Sequence, residues 1–263
     1  MLIIDLGSIP VHPRAYGCVS PDYEKQGIGT FLIHWAKERS RQAVERVPEG
    51  ARVSMYLQSS STHAQTRRLF EKLGLNAFRY SWFMITDLDE KPVEPEWPDG
   101  IQLSTYKEYP DLETFYRAID EAFQDHWGHV DSEDEEERLE RFRHSLENDE
   151  TFDPALFFLA MDEEEIAGAA FCSPRFGGDL ETGIVETLGV RRPWRRKGIA
   201  LALLRHVFGE FYQRGHKHVG LEVDTENLTG ATRLYEKAGM HIATEFTFYE
   251  IEFRPGEELE RQE

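Results

Sequence analysis

VETLGVRRPWRRKGIA, residues 185–200, is the most informative stretch of this chain. Its first six residues suit a strand, its centre is a basic turn interrupted by Pro193, and Gly198 opens an amphipathic pattern that predicts a helix over residues 198–214. Five of the seven residues 191–197 are cationic in a chain whose formal net charge is -19, so the cluster needs a local explanation. A strand that turns this way into a helix presents free backbone N–H groups at the positive end of the helix dipole. Gly198 and Ala200 keep side chains out of the way, which leaves room for a phosphate oxygen. The stretch predicts a pyrophosphate cradle. Neither GxxxxGK[ST] nor GxGxxG occurs, so this is not a Walker loop or a dinucleotide fingerprint.

Working outward, hydrophobic periodicity predicts a strand at 219–224, a helix at 228–238 and one or two strands in 241–253. Upstream it predicts a strand at 101–106, helices at about 109–123 and 132–146, hairpin strands at 156–161 and 166–173, and a strand at 183–190. Three antiparallel strands followed by a βαβα run give an α/β fold with a mixed sheet covered by helices. DLDEKPVEPEWPDG, residues 87–100, is acidic and Pro-rich without apolar periodicity, and reads as a linker.

The chain also repeats itself. TRRLFEKLGL at 66–75 matches ATRLYEKAGM at 231–240 with an offset of 165 and five identities in ten. Val19 and QGIG at 26–29 match Val190 and KGIA at 197–200 with an offset of 171. The divisions expected are a partial first copy over 1–86, the linker, a complete second copy over 101–254 and an acidic tail over 255–263. In the first copy Glu24 stands where the second has Arg195, Phe70 where it has Tyr235, and Thr62 near the place of Asn227. Residues 20–26 carry a charge of -1 against +5 for residues 191–197, which predicts poor binding of a polyanion and a structural role for that half.

Arg195, Gly198 and Ala200 resemble the R/Q-x-x-G-x-G/A motif of the GNAT (GCN5-related N-acetyltransferase) superfamily. Leu188-Gly189-Val190 before it, and GLEVDTEN leading through Asn227 to the LYEKAGM helix, resemble that family's remaining signatures over about residues 101–253. The layout resembles tandem GNAT proteins of the mycothiol synthase type, with one copy complete and one truncated. The resemblance implies an acetyl-CoA-dependent N-acetyltransferase without a metal. It assigns the coenzyme to Leu188, Gly189, Val190, Arg195, Arg196, Lys197, Gly198, Ile199, Ala200, Asn227 and Tyr235, in a cleft between the strands of Val190 and Val219. Tyr235 matches the family's general acid, and a phenol of ordinary pKa about 10 suits a departing thiolate.

For the base, strand alternation places Glu186 on the face of Leu188 and Val190, while Glu222 is the counterpart of an acid in enzymes that acetylate protein N-termini. A water chain is the third route. Family members form the acceptor pocket largely between their first two helices, here FQDHWGHVD, so Asp125, His126 and Trp127 are the acceptor candidates. The acceptor expected is a small-molecule primary amine; a protein N-terminal amine, and a non-catalytic acyl-CoA sensor, are the alternatives. The two halves are expected to pack against each other. The acidity argues against nucleic acid, the longest apolar runs are too short for a membrane span, and Met1 to Pro10 lacks a basic leader pattern, which together point to the cytoplasm. Cys18 and Cys172 suit reduced thiols.

Overall fold

The structure, a computed structural model, describes residues 2–4, 10–124, 134–226 and 230–259. The N-terminal half comprises β1 (Leu2–Ile4), β2 (Arg14–Tyr16), α1 (Ile28–Arg41), β3 (Val53–Ser60), α2 (Ala64–Lys72) and β4 (Asn76–Asp87). The C-terminal half continues with β5 (Ile101–Thr105), α3 (Leu112–Phe123), α4 (Glu135–Glu147), β6 (Phe157–Asp162), β7 (Glu165–Ser173) and β8 (Thr182–Val190). It ends with α5 (Ile199–Gln213), β9 (His218–Asp224), α6 (Ala231–Ala238) and β10 (His241–Arg254). The C-terminal elements sit where hydrophobic periodicity places them to within a few residues, with 241–254 forming one long strand.

All strands join one sheet in the order β1-β2-β3-β10-β4-β9-β8-β7-β6-β5. β2 with β3 and β8 with β9 are the parallel neighbours; the other pairs are antiparallel. The order reveals an exchange. β10, the last strand of the C-terminal half, inserts between β3 and β4, with Tyr249 opposite Leu57 and Phe246 opposite Ser81. β4, the last strand of the N-terminal half, pairs with β9, with Ser81 opposite Asp224. Each half therefore completes the sheet of the other.

Helices cover both faces. α5 and α6 cover one face of β6 to β9, where Leu203, Val207 and Phe211 meet Phe158, Val185 and Leu221. α1 and α2 cover β3 and β10 through Ile33, Ala36, Phe70, Leu57 and Tyr249. α3 and α4 lie on the opposite face, with Phe115 and Leu146 against Phe157, Leu159 and Met161. β6 is thus buried on both sides, and each large side chain so buried contributes roughly 1.5–3 kcal/mol. The stretch between β4 and β5 carries no helix or strand, yet Leu88 is buried and Trp97 packs on the α5 core. No helix among the described residues is long and apolar enough to cross a membrane.

Candidate active site

β8 and β9 pair in parallel only from Thr182 opposite His218 to Ile184 opposite Gly220, and then diverge. Beyond that point the two strand edges face each other without pairing. The opening is a cavity of about 470 Å³ lined by Glu186, Leu188, Gly189, Val190, Arg195, Arg196, Gly198, Ile199, Ala200, Glu222 and Tyr235. The structure thereby brings together most of the residues expected from sequence. Lys197 is exposed beside the cavity and is not part of its wall. Asn227, Asp125, His126 and Trp127 lie outside the described residues.

The basic turn closes one end. A short helical turn over Arg192–Trp194 leads through Arg196, at φ 62°, to Gly198 at φ 95°. Both are left-handed, which suits glycine and confines Arg196 to a strained but tight turn. A Cβ on Gly198 would meet nothing within 4 Å, so its approach side is open. α5 has no side-chain cap and its first internal bond runs from the Ala202 N–H to the Gly198 carbonyl, so the preceding N–H groups point out of the helix start. The cations divide. Arg191 is tied to Glu121 at 2.7 Å and Glu165 at 3.3 Å, and lies over the Trp194 ring. Arg195 donates to the carbonyls of Val190 at 3.0 Å and Ala122 at 3.1 Å, pinning the turn to β8 and α3. Arg196 and Lys197 have no ion pair among the described residues, and they are the charge left for a ligand.

Tyr235 packs on the α5 core with its hydroxyl unbonded among the described residues, and burial pushes its pKa up to about 12. It is a protonated donor at every physiological pH, although less closely matched to a thiolate than an ordinary phenol.

The carboxylates require one correction. Strand alternation puts Glu186 on the face of Leu188 and Val190; in the structure it is not there. Thr187 pairs with Phe171 and Val185 with Cys172, so Glu186 is the extra residue of a β-bulge. Val185, Leu188 and Val190 face the α5 core, whereas Glu186 feels the charges of Asp149 and Glu222. Desolvation, then those two acids, raises its pKa above the usual carboxylate value. On β9, Leu221 and Val223 are buried on the α5 side, so Glu222 points to the opposite face. There it meets residues that sequence reasoning missed. Ser81 of β4 donates to Glu222 Oε1 at 2.5 Å, and Gln58 of β3 donates to the same oxygen at 2.7 Å. Asp224 is gripped by Arg79 of β4. The signal for Ser81 and Arg79 was the repeat itself, since a strand follows each copy of the EK-containing helix, but the repeat does not say which strand pairs with which, and Gln58 lies on β3 ahead of that helix.

The N-terminal half holds a cavity of about 550 Å³ between β2 and β3, lined in part by Val19, Glu24, Gly27 and Phe70. Its turn repeats the C-terminal one: Glu24 and Arg195 have φ/ψ of -63/158° and -62/152°, Lys25 and Arg196 have φ 60° and 62°, and Gly27 and Gly198 have φ 83° and 95°. The backbone path of the turn is kept while Glu24 stands for Arg195 and Phe70 for Tyr235.

A parallel strand pair that opens over an anion-accepting helix start, with a buried phenol and carboxylates along the opening, defines an α/β acyltransferase fold. The Acetyltransferase (GNAT) family model matches residues 112–240. A GCN5-related N-acetyltransferase from Sphaerobacter thermophilus is 34% identical, with TM-score 0.77 over 98% of this chain and 77% of that one. The chain belongs to the GNAT family and is an N-acetyltransferase. A mycothiol acetyltransferase from Catenulispora acidiphila is 26% identical over 253 residues, 94% of this chain and 75% of the relative. A tandem GNAT protein from the clavulanic acid biosynthesis pathway shares the fold at 16% identity, with TM-score 0.67 over 94% of this chain and 77% of that one.

Proposed function

We propose that this enzyme moves an acetyl group from acetyl-CoA directly to the primary amine of a small molecule, using the cleft of the C-terminal half. GNAT acetyltransferases use acetyl-CoA, and the residues here fit it: an open turn at Gly198, outward N–H groups at the start of α5, and the unpaired cations Arg196 and Lys197 suit a pyrophosphate. The unpaired edge of β8 at Leu188, Gly189 and Val190 suits an extended amide-bearing arm, which it can hold as a neighbouring strand would be held. When bound, acetyl-CoA supplies an activated thioester. The observation that carries the reading is the convergence of this cradle, Tyr235 and Glu186 on one cavity.

In this reading Glu186 removes the proton from the acceptor ammonium, its raised pKa placing it nearer the working pH of a general base. A backbone N–H of the β8 edge stabilises the charge that develops on the carbonyl oxygen. Tyr235 donates its proton to the departing sulfur. The relatives named mycothiol acetyltransferase support a small molecule as acceptor. In the N-terminal half, Glu24 and Phe70 replace the cradle arginine and the acid, which supports a structural role for that half. Thiol release from acetyl-CoA, assayed against a panel of primary amines in the wild type and Tyr235→Phe, tests the assignment. Turnover that needs an amine and falls in the variant supports it, and amine-independent release equal in both contradicts it.

A further inference from the structure

The exchange of β4 and β10 has a consequence at the reacting cleft. The face of the sheet opposite α5 curls so strongly that Gln58 on β3 reaches Glu222 on β9, although β10 and β4 lie between them. Both Gln58 and Ser81 donate to Oε1 of Glu222, and Oε2 has no partner among the described residues. A carboxylate has about four acceptor sites, so this grip fixes its orientation while leaving one oxygen for another donor. The adjoining acid on the same face, Asp224, is already neutralised by Arg79. Glu222 is held by two neutral donors, with Glu186 near enough to interact electrostatically and no cation paired to it among the described residues. A face that pairs one acid with arginine and presents the next uncompensated suits a cationic ligand group.

Building on the acetyltransfer reading above, we propose that Glu222 binds the ammonium of the acceptor through Oε2, and that Ser81 and Gln58 of the N-terminal half are positioning residues for it. The N-terminal half then serves acceptor recognition as well as sheet completion, and Glu186 is left as the base.

The test is calorimetric titration of ethanolamine, glucosamine and spermidine into the full-length protein saturated with CoA. For the tightest of these amines, Ser81→Ala, Gln58→Leu and Glu222→Gln should each weaken binding about tenfold, the scale of a lost charge-assisted hydrogen bond. Ser81→Thr, which keeps the hydroxyl, should restore binding to near wild type. The Ser81→Ala/Glu222→Gln double variant should bind no more weakly than Glu222→Gln alone, because the hydroxyl acts only through that carboxylate. In amine turnover the losses in Ser81→Ala and Gln58→Leu should fall on KM and leave kcat and acetyl-CoA affinity within about threefold. Gln58 is only half-buried, whereas Ser81 is buried, so the Gln58 variant keeps the test alive if Ser81→Ala does not fold. Full additivity in the double variant, a loss confined to kcat, or a wild type that takes none of the three amines while binding acetyl-CoA would overturn the inference. A wild type that fails to bind acetyl-CoA would instead overturn the coenzyme reading.

Discussion

Tyr235 and Glu186 show how single side chains acquire their chemistry from packing. Burial against the α5 core holds Tyr235 protonated, so Tyr235→Phe should lower kcat by about 10²- to 10⁴-fold, the usual range for a positioned acid, with acetyl-CoA affinity unchanged. Steady-state kinetics beside a binding titration check both halves of that statement. Glu186 has a raised pKa, so it is ionised only above that value, and kcat/KM should rise with pH through a limb lying above the ordinary carboxylate range. The limb should vanish in Glu186→Gln. The same sign governs stability: a carboxyl whose folded pKa is raised costs stability once pH climbs past its unfolded value, and solvent screens the effect at the exposed Glu186, so Glu186→Gln should melt slightly higher than wild type at neutral pH and equally at pH 3. A lower melting point for the variant at neutral pH would contradict this. The sequence displayed both residues, because acids and a tyrosine at these spacings stand out. It did not display the bulge at Glu186, which depends on the register of β7 against β8 and not on β8 alone. Arg195 was legible as part of a cradle, but its pinning of the turn to Val190 and Ala122 depends on α3 arriving beside it.

At the scale of elements, β10 is decisive. It is flanked on both sides by strands of the other half, with Thr247 opposite Ser59 and Tyr80 and nearly fully buried. Thr247→Pro removes a backbone donor from an interior strand and should destabilise the protein by about 3 kcal/mol or more. Because Tyr249 of β10 packs in the N-terminal core while Met84 of β4 packs in the α5 core, tryptophan fluorescence and circular dichroism should report a single, lower transition, whereas Thr247→Ser should be near neutral. Two separated transitions would contradict the exchange. Elements themselves were readable from periodicity and from the repeated EK helix. Their pairing was not, since two strands that follow equivalent helices have similar alternation, and either satisfies either neighbour.

Over the whole molecule, two clefts share one backbone design and differ in charge. The N-terminal one is the larger, at about 550 Å³ against about 470 Å³, and its turn follows the same dihedral path, so geometry alone does not separate them. Electrostatics does. A coenzyme with several phosphate charges should favour the turn with charge +5 over the one with charge -1, the more so at low salt where screening is weak. The most direct test is calorimetric titration of acetyl-CoA into wild type and Arg195→Glu, with Arg196→Glu as a companion that spares the bonds to Val190 and Ala122. One site per chain, lost or strongly weakened in both variants, is the predicted result. Two sites, or one that survives both substitutions, would contradict the assignment of the coenzyme to the C-terminal cleft.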